Sequence, residues 1–210
     1  MPQVVVYPLL VFILMVVLLV IFRPALWLVP AEALLFLVLV WMLSFFRDPS
    51  RTIVPDEKVL YSPADGTITD IAELDGALRI GIFLSIFSVH INRAPCSVRV
   101  EKLDYKKGKF KNAMSPESSR VNESNDIFMT RLSEPKDRLL VRQVSGAIAR
   151  HIVCEAREAS EYRQGEPFGM IKFGSRTELQ LPAHDGKYEV VVKIGDPVRA
   201  GLTPLVRYLP

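Results

Sequence analysis

A serine that follows a glycine between two strand-like runs can attack its own backbone, and Met170-Ile-Lys-Phe-Gly-Ser-Arg-Thr-Glu-Leu-Gln-Leu181 sets Gly174-Ser175 at such a point. The Ser175 hydroxyl can add to the Gly174 carbonyl, because glycine has no Cβ to obstruct the approach or the strained conformation it needs. The resulting ester can lose its serine side by β-elimination, which leaves an electrophilic carbonyl at a new N-terminus. Taken alone, Gly-Ser is also an ordinary turn dipeptide. A free hydroxyl is a poor nucleophile at neutral pH and needs a base. The chain has three histidines. His184, in Pro-Ala-His-Asp-Gly, reads as a solvated loop residue, and His151, beside Arg150 in an apolar run, as a packed or half-exposed imidazole. His90 ends the hydrophobic run 82–89 just before Asn92-Arg-Ala-Pro95 and is the strongest candidate base. Asp65, ahead of Gly66, can orient that imidazole and stabilise its protonated form, or can bond its own turn backbone. Arg93 can fork onto a carboxylate or phosphate, or lie at the surface.

These residues sit within a larger ordered set: Phe45-Phe-Arg-Asp-Pro49, Ser62-Pro-Ala-Asp-Gly66, Val89-His-Ile-Asn-Arg-Ala-Pro95, Asn122-Glu-Ser-Asn125, Gln143-Val-Ser-Gly-Ala-Ile-Ala-Arg150 and Gly169-Met-Ile-Lys-Phe-Gly-Ser-Arg176. In that order they closely resemble the phosphatidylserine decarboxylase family in its short form, which includes archaetidylserine decarboxylases. The resemblance covers roughly residues 45–209. It implies a proenzyme that cleaves itself between Gly174 and Ser175 into chains 1–174 and 175–210, which stay associated. Ser175 becomes a covalent pyruvoyl group, the only cofactor, with no metal. That group takes up the amine of a serine phospholipid and serves as the electron sink while carbon dioxide leaves, and His90 reprotonates the carbanion. The product is the ethanolamine lipid, and an archaetidylserine substrate is the alternative. The resemblance also implies catalytic roles for Ser175, His90 and Asp65, and family members are often homodimers. Many longer members carry a second histidine three positions after the first; here that position is Arg93, so His90 serves both processing and protonation or another group supplies one proton.

Hydrophobic residues make up 50% of the 210 and are unevenly spread. Residues 4–22 carry no charge and are long enough to cross a bilayer as a helix. A second apolar run, 33–46, follows Pro30 and Glu32; as a helix it is about 21 Å long, short of a ~30 Å hydrocarbon core. Residues 1–46 therefore read as a membrane anchor of one or two hydrophobic helices, and 47–210 as the decarboxylase domain. Arg47, Arg51 and Lys58 follow the second run, against Arg23 between the two, which places that domain on the cytoplasmic side of the cell membrane. Trp41, Phe45 and Phe46 suit an interfacial belt or plain packing. The formal charge of +3 is diffuse and no basic run suggests nucleic acid. Cys96 and Cys154 lie in no metal-ligand spacing and read as buried apolar thiols.

Beyond residue 50 the chain reads as mainly β. Residues 66–72, 77–83, 97–106, 138–144, 176–181 and 188–194 have strand character, 148–157 suits a strand or a short helix, and 111–126 lacks periodicity and reads as a long loop. Ser62-Pro-Ala-Asp-Gly-Thr-Ile68 and Ile194-Gly-Asp-Pro-Val-Arg-Ala-Gly201 share turn chemistry, and the second is similar to the turn of lipoyl and biotinyl carrier domains. The expected architecture is a β-sandwich or barrel-sandwich. A carrier needs a modifiable lysine at a hairpin tip, which neither segment offers. A membrane-tethered serine hydrolase would use the same Asp65, His90 and Ser175 with an intact backbone, and the chain lacks a Gly-x-Ser-x-Gly elbow.

Overall fold

The computed structural model describes residues 3–22, 28–109, 118–146, 152–172, 175–183 and 186–209. Contacts divide the chain into two units, Met1–Asp48 and Pro49–Pro210.

The first unit holds two helices, α1 (Gln3–Phe22) and α2 (Val29–Phe45). Pro30 occupies the first turn of α2, where its missing N–H costs nothing, and Glu32 complements the positive end of the helix. At the other end, Arg47 Nη1 donates to the Ser44 carbonyl at 2.6 Å and caps the last turn. The aromatic residues pack on one another: Tyr7 stacks on Phe46 at 6.3 Å, Trp41 lies 5.7 Å from Phe45, and Phe45 meets Phe46 edge-on at 5.0 Å. Both helices nonetheless expose large apolar side chains, among them Leu9, Phe12, Leu34 and Leu37. Among the described residues no helix is long and apolar enough to cross a membrane, so the anchor expected of residues 1–46 finds no support there.

The second unit is built from strands β1 (Val59–Tyr61), β2 (Gly66–Leu74), β3 (Ala77–Leu84), β4 (Ile91–Arg93) and β5 (Val98–Lys106), the single turn α3 (Ser118–Val121), and then β6 (Ser124–Arg131), β7 (Arg138–Val144), β8 (Ile152–Cys154), β9 (Glu161–Tyr162), β10 (Pro167–Ile171), β11 (Ser175–Pro182), β12 (Tyr188–Val190), β13 (Pro197–Val198) and β14 (Pro204–Tyr208). Among the described residues these form an eight-stranded sheet in the order β13-β2-β3-β11-β7-β6-β5-β9 and two three-stranded sheets, β1-β14-β12 and β4-β10-β8. The strand pairs are antiparallel, as short connections require. Asp75-Gly76 closes the β2–β3 hairpin with both residues at positive φ (52° and 74°), the two-residue turn whose twist matches its strands. Gly66 permits the close pairing at the other end of β2, where a Cβ would fall on the Phe83 carbonyl. The two turn segments with shared chemistry meet: β13 pairs with β2 through Pro197 and Thr67, and the Gly195 amide donates to the Ile68 carbonyl at 2.8 Å.

One face of the large sheet supplies Ile68, Ile80, Ile82, Ile127, Val141, Leu179 and Leu181 to a core completed by Leu60, Phe168, Leu205 and Val206 from the smaller sheets. Each such side chain contributes about 1.5–3 kcal/mol by leaving water. The mainly β expectation thus holds. Three boundaries differ. The loop expected over 111–126 ends earlier, since residues 124–126 already belong to the fully paired β6, whose Ile127 and Met129 face the core while Asp126 and Phe128 face away; Ser124, Asn125 and Asp126 conceal that alternation. The residues after His90, which the Asn92-Arg-Ala-Pro95 sequence would suggest as loop, form strand β4 through Arg93. The strand expected over 188–194 stops at Val190, because Gly195-Asp196 begins a turn in which the Lys193 amide donates to the Asp196 carboxylate at 2.9 Å.

Cys96 is buried in this core and burial pushes its thiol up to about 12; Cys154 is half-buried and is also raised by burial. At pH 8 the Cys96 thiolate fraction is on the order of 10⁻⁴. Iodoacetamide should therefore leave the native protein's Cys96 unmodified over a period in which the urea-unfolded chain gains two carbamidomethyl groups, as read by intact mass.

Candidate active site

Ser175 is the first residue of β11, a strand held in the middle of the large sheet between β3 and β7. It lies opposite Leu84 of β3. Strand alternation sends Ser175, Thr177, Leu179 and Leu181 toward the core and Arg176 and Glu178 to the other face. The chain reaches Ser175 from β10, which belongs to the β4-β10-β8 sheet, through residues 172–174 alone. So short a passage from one sheet to the other sets Ser175 where the two meet. Ser175 is fully buried and its Oγ has no hydrogen-bond partner among the described residues. A buried hydroxyl left without a partner is uncommon and calls for a functional account. Gly174, the other half of the expected cleavage site, lies outside the described residues, as do His151 and His184.

His90 is brought to the same junction by two connections. Its backbone carbonyl accepts from the Ile171 amide at 3.2 Å, at the end of β10, and it follows β3 by the short 85–89 link from Leu84, the partner of Ser175. The imidazole is fully buried, with Nδ1 2.8 Å from the Ser88 carbonyl. A carbonyl can only accept, so the hydrogen-bond network assigns the proton of the neutral ring to Nδ1 and the lone pair to Nε2, the form a general base needs.

Asp65 lies in the link between β1 and β2, two residues from Pro63, whose carbonyl accepts from the Arg93 amide at 2.9 Å and from Asn92 Nδ2 at 3.3 Å. Its carboxylate is engaged by Arg51 in a bidentate pair, 2.7 and 2.8 Å, and by the Ala200 amide at 2.7 Å. The orienting bond to His90 Nδ1 expected of Asp65 is thus made by the Ser88 carbonyl. Arg51, one of the basic residues from which sidedness was read, is buried on this carboxylate and not an open surface charge. Arg93 is buried too: on β4, opposite Pro167, it donates from Nη1 to the Gly165 carbonyl at 3.1 Å and lines a groove of about 680 Å³ with Ile53, Ser97 and Glu166.

Behind Ser175 runs a chain of buried amides that sequence reasoning missed. Asn125 Nδ2 donates to Gln143 Oε1 (3.1 Å), Gln143 Nε2 to Asn92 Oδ1 (2.9 Å), and Asn92 Nδ2 to Thr177 Oγ1 (3.0 Å). Each amide is oriented by the next, so β6, β7, β4 and β11 are locked in register from Asn125 to the residue two after Ser175. Gly169 leaves the room: a Cβ there would lie 2.6 Å from the Val153 carbonyl and 3.0 Å from Gln143 Nε2. Three of the quoted motifs contain these amides, but nothing in a motif says that they meet. Replacing Asn92 by Leu leaves Gln143 Nε2 and Thr177 Oγ1 short of a partner, and should cost about 1–3 kcal/mol for each orphaned group in chemical denaturation. Lys172, at the end of β10, was also missed; it is buried, and desolvation lowers its pKa.

The buried Ser175 and the buried His90 each lie on a segment bordering the junction of the two sheets, with no hydrogen bond between Ser175 Oγ and His90 Nε2, on a hydrogen-bonded scaffold of the mainly β class. The family model for phosphatidylserine decarboxylase matches residues 38–205. The chain is 42% identical over 181 residues to the phosphatidylserine decarboxylase proenzyme of Carboxydothermus hydrogenoformans, covering 83% of each chain. It is 44% identical over 170 residues to that of Rhodopirellula baltica (78% of this chain, 70% of the other) and 38% identical over 178 residues to that of Pelagibacter ubique (80% of each). The chain belongs to the phosphatidylserine decarboxylase family.

Proposed function

We propose that the chain is a proenzyme that cuts its own backbone between Gly174 and Ser175 and then converts phosphatidylserine to phosphatidylethanolamine and carbon dioxide. The observation that carries this reading is the Ser175 hydroxyl, fully buried and without a hydrogen-bond partner among the described residues, at the start of a central strand. A hydroxyl there for stability alone would be bonded. In the proposed processing, Nε2 of His90 takes the Ser175 Oγ proton as Oγ adds to the Gly174 carbonyl. The C–N bond breaks, the residue 175 nitrogen gains the proton as an amine, and an ester joins Gly174 to Oγ. Removal of the residue 175 Cα proton then expels the Gly174 carboxylate, and water replaces the nitrogen of the unsaturated residue, releasing ammonia.

The group left at position 175 is a pyruvoyl, and the surroundings fit it. It is small and uncharged, as a buried site requires, and β11 would hold it between β3 and β7 with Thr177 anchored by Asn92. When bound to a substrate amine, a pyruvoyl supplies an electron sink for decarboxylation. The protein's own part is to hold that position out of water and to deliver a proton from His90 to the carbon that loses carbon dioxide. Asp65, through Arg51 and the Ala200 amide, fixes the link beside β4 and so positions the site's floor. Cleavage leaves β11 to β14 in the small chain and their partners β1, β2, β3 and β7 in the large one, so the two chains remain associated through backbone ladders.

The exposed apolar side chains of α1 and α2 suit a bilayer, where a two-chain lipid substrate is confined, and we place the protein on the cell membrane with its second unit on the cytoplasmic side. The test of the whole reading is the intact mass of the denatured wild-type protein before and after phenylhydrazine. Two chains split after residue 174, the smaller blocked to Edman chemistry and shifted by the reagent, are expected, with decarboxylation of phosphatidylserine vesicles by the same preparation. A single chain from an active preparation would overturn it.

A further inference from the structure

The residue after Ser175 is tied down more heavily than any ordinary strand position needs. Arg176 points to the face of the large sheet opposite Ser175, and its side chain is fully buried. Its nitrogens go to three different side chains. Nε donates to Glu178 Oε1 at 2.8 Å, Nη1 to Thr69 Oγ1 at 2.9 Å, and Nη2 to Asp70 Oδ1 in a tight ion pair. Asp70 is itself held by Arg79, with Nε 3.3 Å from Oδ2. The fork lies across β3 at Gly81, the residue opposite Glu178, and a Cβ there would collide with both the guanidinium and the Asp70 carboxylate. β2, β3 and β11 therefore converge on one side chain, and a glycine keeps its seat open.

We infer that Arg176 is a positioning residue for the group at position 175: its clamp holds the start of β11 in place once residue 175 has become a chain terminus. The inference rests on the proposed self-cleavage. An uncut chain would hold Ser175 from both sides. A cut one leaves it the first residue of a strand, and terminal residues fray unless tied. At position 175 fraying would displace the reacting atoms, and a displacement of about 1 Å is enough to cost roughly 100-fold in rate. The clamp acts one residue away, on the far face of the sheet, so it fixes the backbone without entering the site.

The experiment uses the full-length protein in detergent micelles with three variants: Gly81→Ala, which pushes the guanidinium aside and keeps every charge; Asp70→Asn, which loosens the ion pair; and Arg176→Lys, which keeps the charge but loses the fork. Asp126→Asn serves as the control, because it loosens an ion pair on the same face between Asp126 of β6, two strands from β11, and Arg142 of the neighbouring β7. Hydrogen exchange of the processed wild-type protein should show amides 176–178 protected like those of β7. In Gly81→Ala and Asp70→Asn that protection should fall at least about tenfold while β7 stays protected, and kcat should fall about 10- to 100-fold at unchanged KM. Arg176→Lys should lie between, and Asp126→Asn should match the wild type in both readouts.

Loss of protection at 176–178 with wild-type kcat would overturn the inference. So would equal losses in Asp126→Asn, which would make the ionic face a general stabiliser. If Gly81→Ala does not fold, Asp70→Asn carries the same two readouts. A wild-type chain that never splits would sink the processing reading and this one with it; failure of the clamp alone shows as a wild type that splits normally beside variants that keep full activity.

Discussion

Replacing Ser175 by alanine should leave one uncut chain of 23.7 kDa, with no phenylhydrazine adduct and no decarboxylase activity, and a melting temperature almost unchanged from that of the freshly made, unprocessed wild-type chain. Both halves of this outcome come from the same observation. The hydroxyl is fully buried and has no hydrogen-bond partner among the described residues, so its removal breaks no bond. Deleting a buried polar group that is already unsatisfied is close to neutral for folding or mildly stabilising, within about 1 kcal/mol. The same deletion removes the hydroxyl proposed to attack the Gly174 carbonyl, so the functional loss should be complete. Ser175→Thr provides the graded case. It keeps a hydroxyl but adds a methyl in a fully packed strand, which should slow processing and lower stability by about 1–3 kcal/mol. Mass spectrometry after a timed incubation, with a thermal melt on the same sample, reads both effects. A Ser175→Ala protein that still splits, or one that melts many degrees lower, would sink the assignment of Ser175 as a nucleophile whose hydroxyl has no hydrogen-bond partner among the described residues.

What could be read in the sequence and what could not divide along a physical line. β3 was legible because Leu78, Ile80, Ile82 and Leu84 alternate without interruption, and β5, β7 and β11 because each carries a shorter alternating run of Val or Leu; the strand expected over 138–144 is the observed Arg138–Val144. β6 was not, because its first residues are polar, and Ser124-Asn125-Asp126 resembles a loop until the hydrogen bond of Asn125 and the ion pair of Asp126 with Arg142 are seen. Burial alone would raise the Asp126 pKa, but its bonds to Arg142 and Lys106 outweigh that and hold it below the usual carboxylate range. Among the candidate site residues, Ser175 and His90 could be singled out because each has a chemistry that its neighbours lack. The partner of Asp65 could not: Arg51 is distant in sequence from both the core strands and the motif around His90, and a pairing of Arg51 with Asp65 leaves no periodic trace. The amide chain from Asn125 to Thr177 was hidden for the same reason, since its members come from four strands and become neighbours only through sheet order.

Replacing His90 by asparagine should stop processing while the domain still folds. The substitution is chosen from the geometry. Asparagine places an amide N–H near the position of the imidazole Nδ1, so the 2.8 Å bond to the Ser88 carbonyl can be kept, while the Nε2 lone pair is removed. General-base catalysis of this kind is worth about 10²–10⁴ in rate, so a chain that matures within hours should remain uncut for days. Alanine at this position would confound the result, because it opens a cavity in a fully buried site and leaves the Ser88 carbonyl without its donor. Hydroxylamine then separates the two proton transfers assigned to His90. It cleaves an ester but not a peptide bond, so a His90→Asn protein that has formed the ester and stalled before elimination would be cut after Gly174 by the reagent. We expect no such cut, because the first step already needs a base for Oγ. Cleavage by hydroxylamine would restrict His90 to the elimination and move activation of Ser175 to another group. Normal maturation of His90→Asn would remove His90 from the processing mechanism altogether and leave its burial and its bond to Ser88 as a purely structural arrangement.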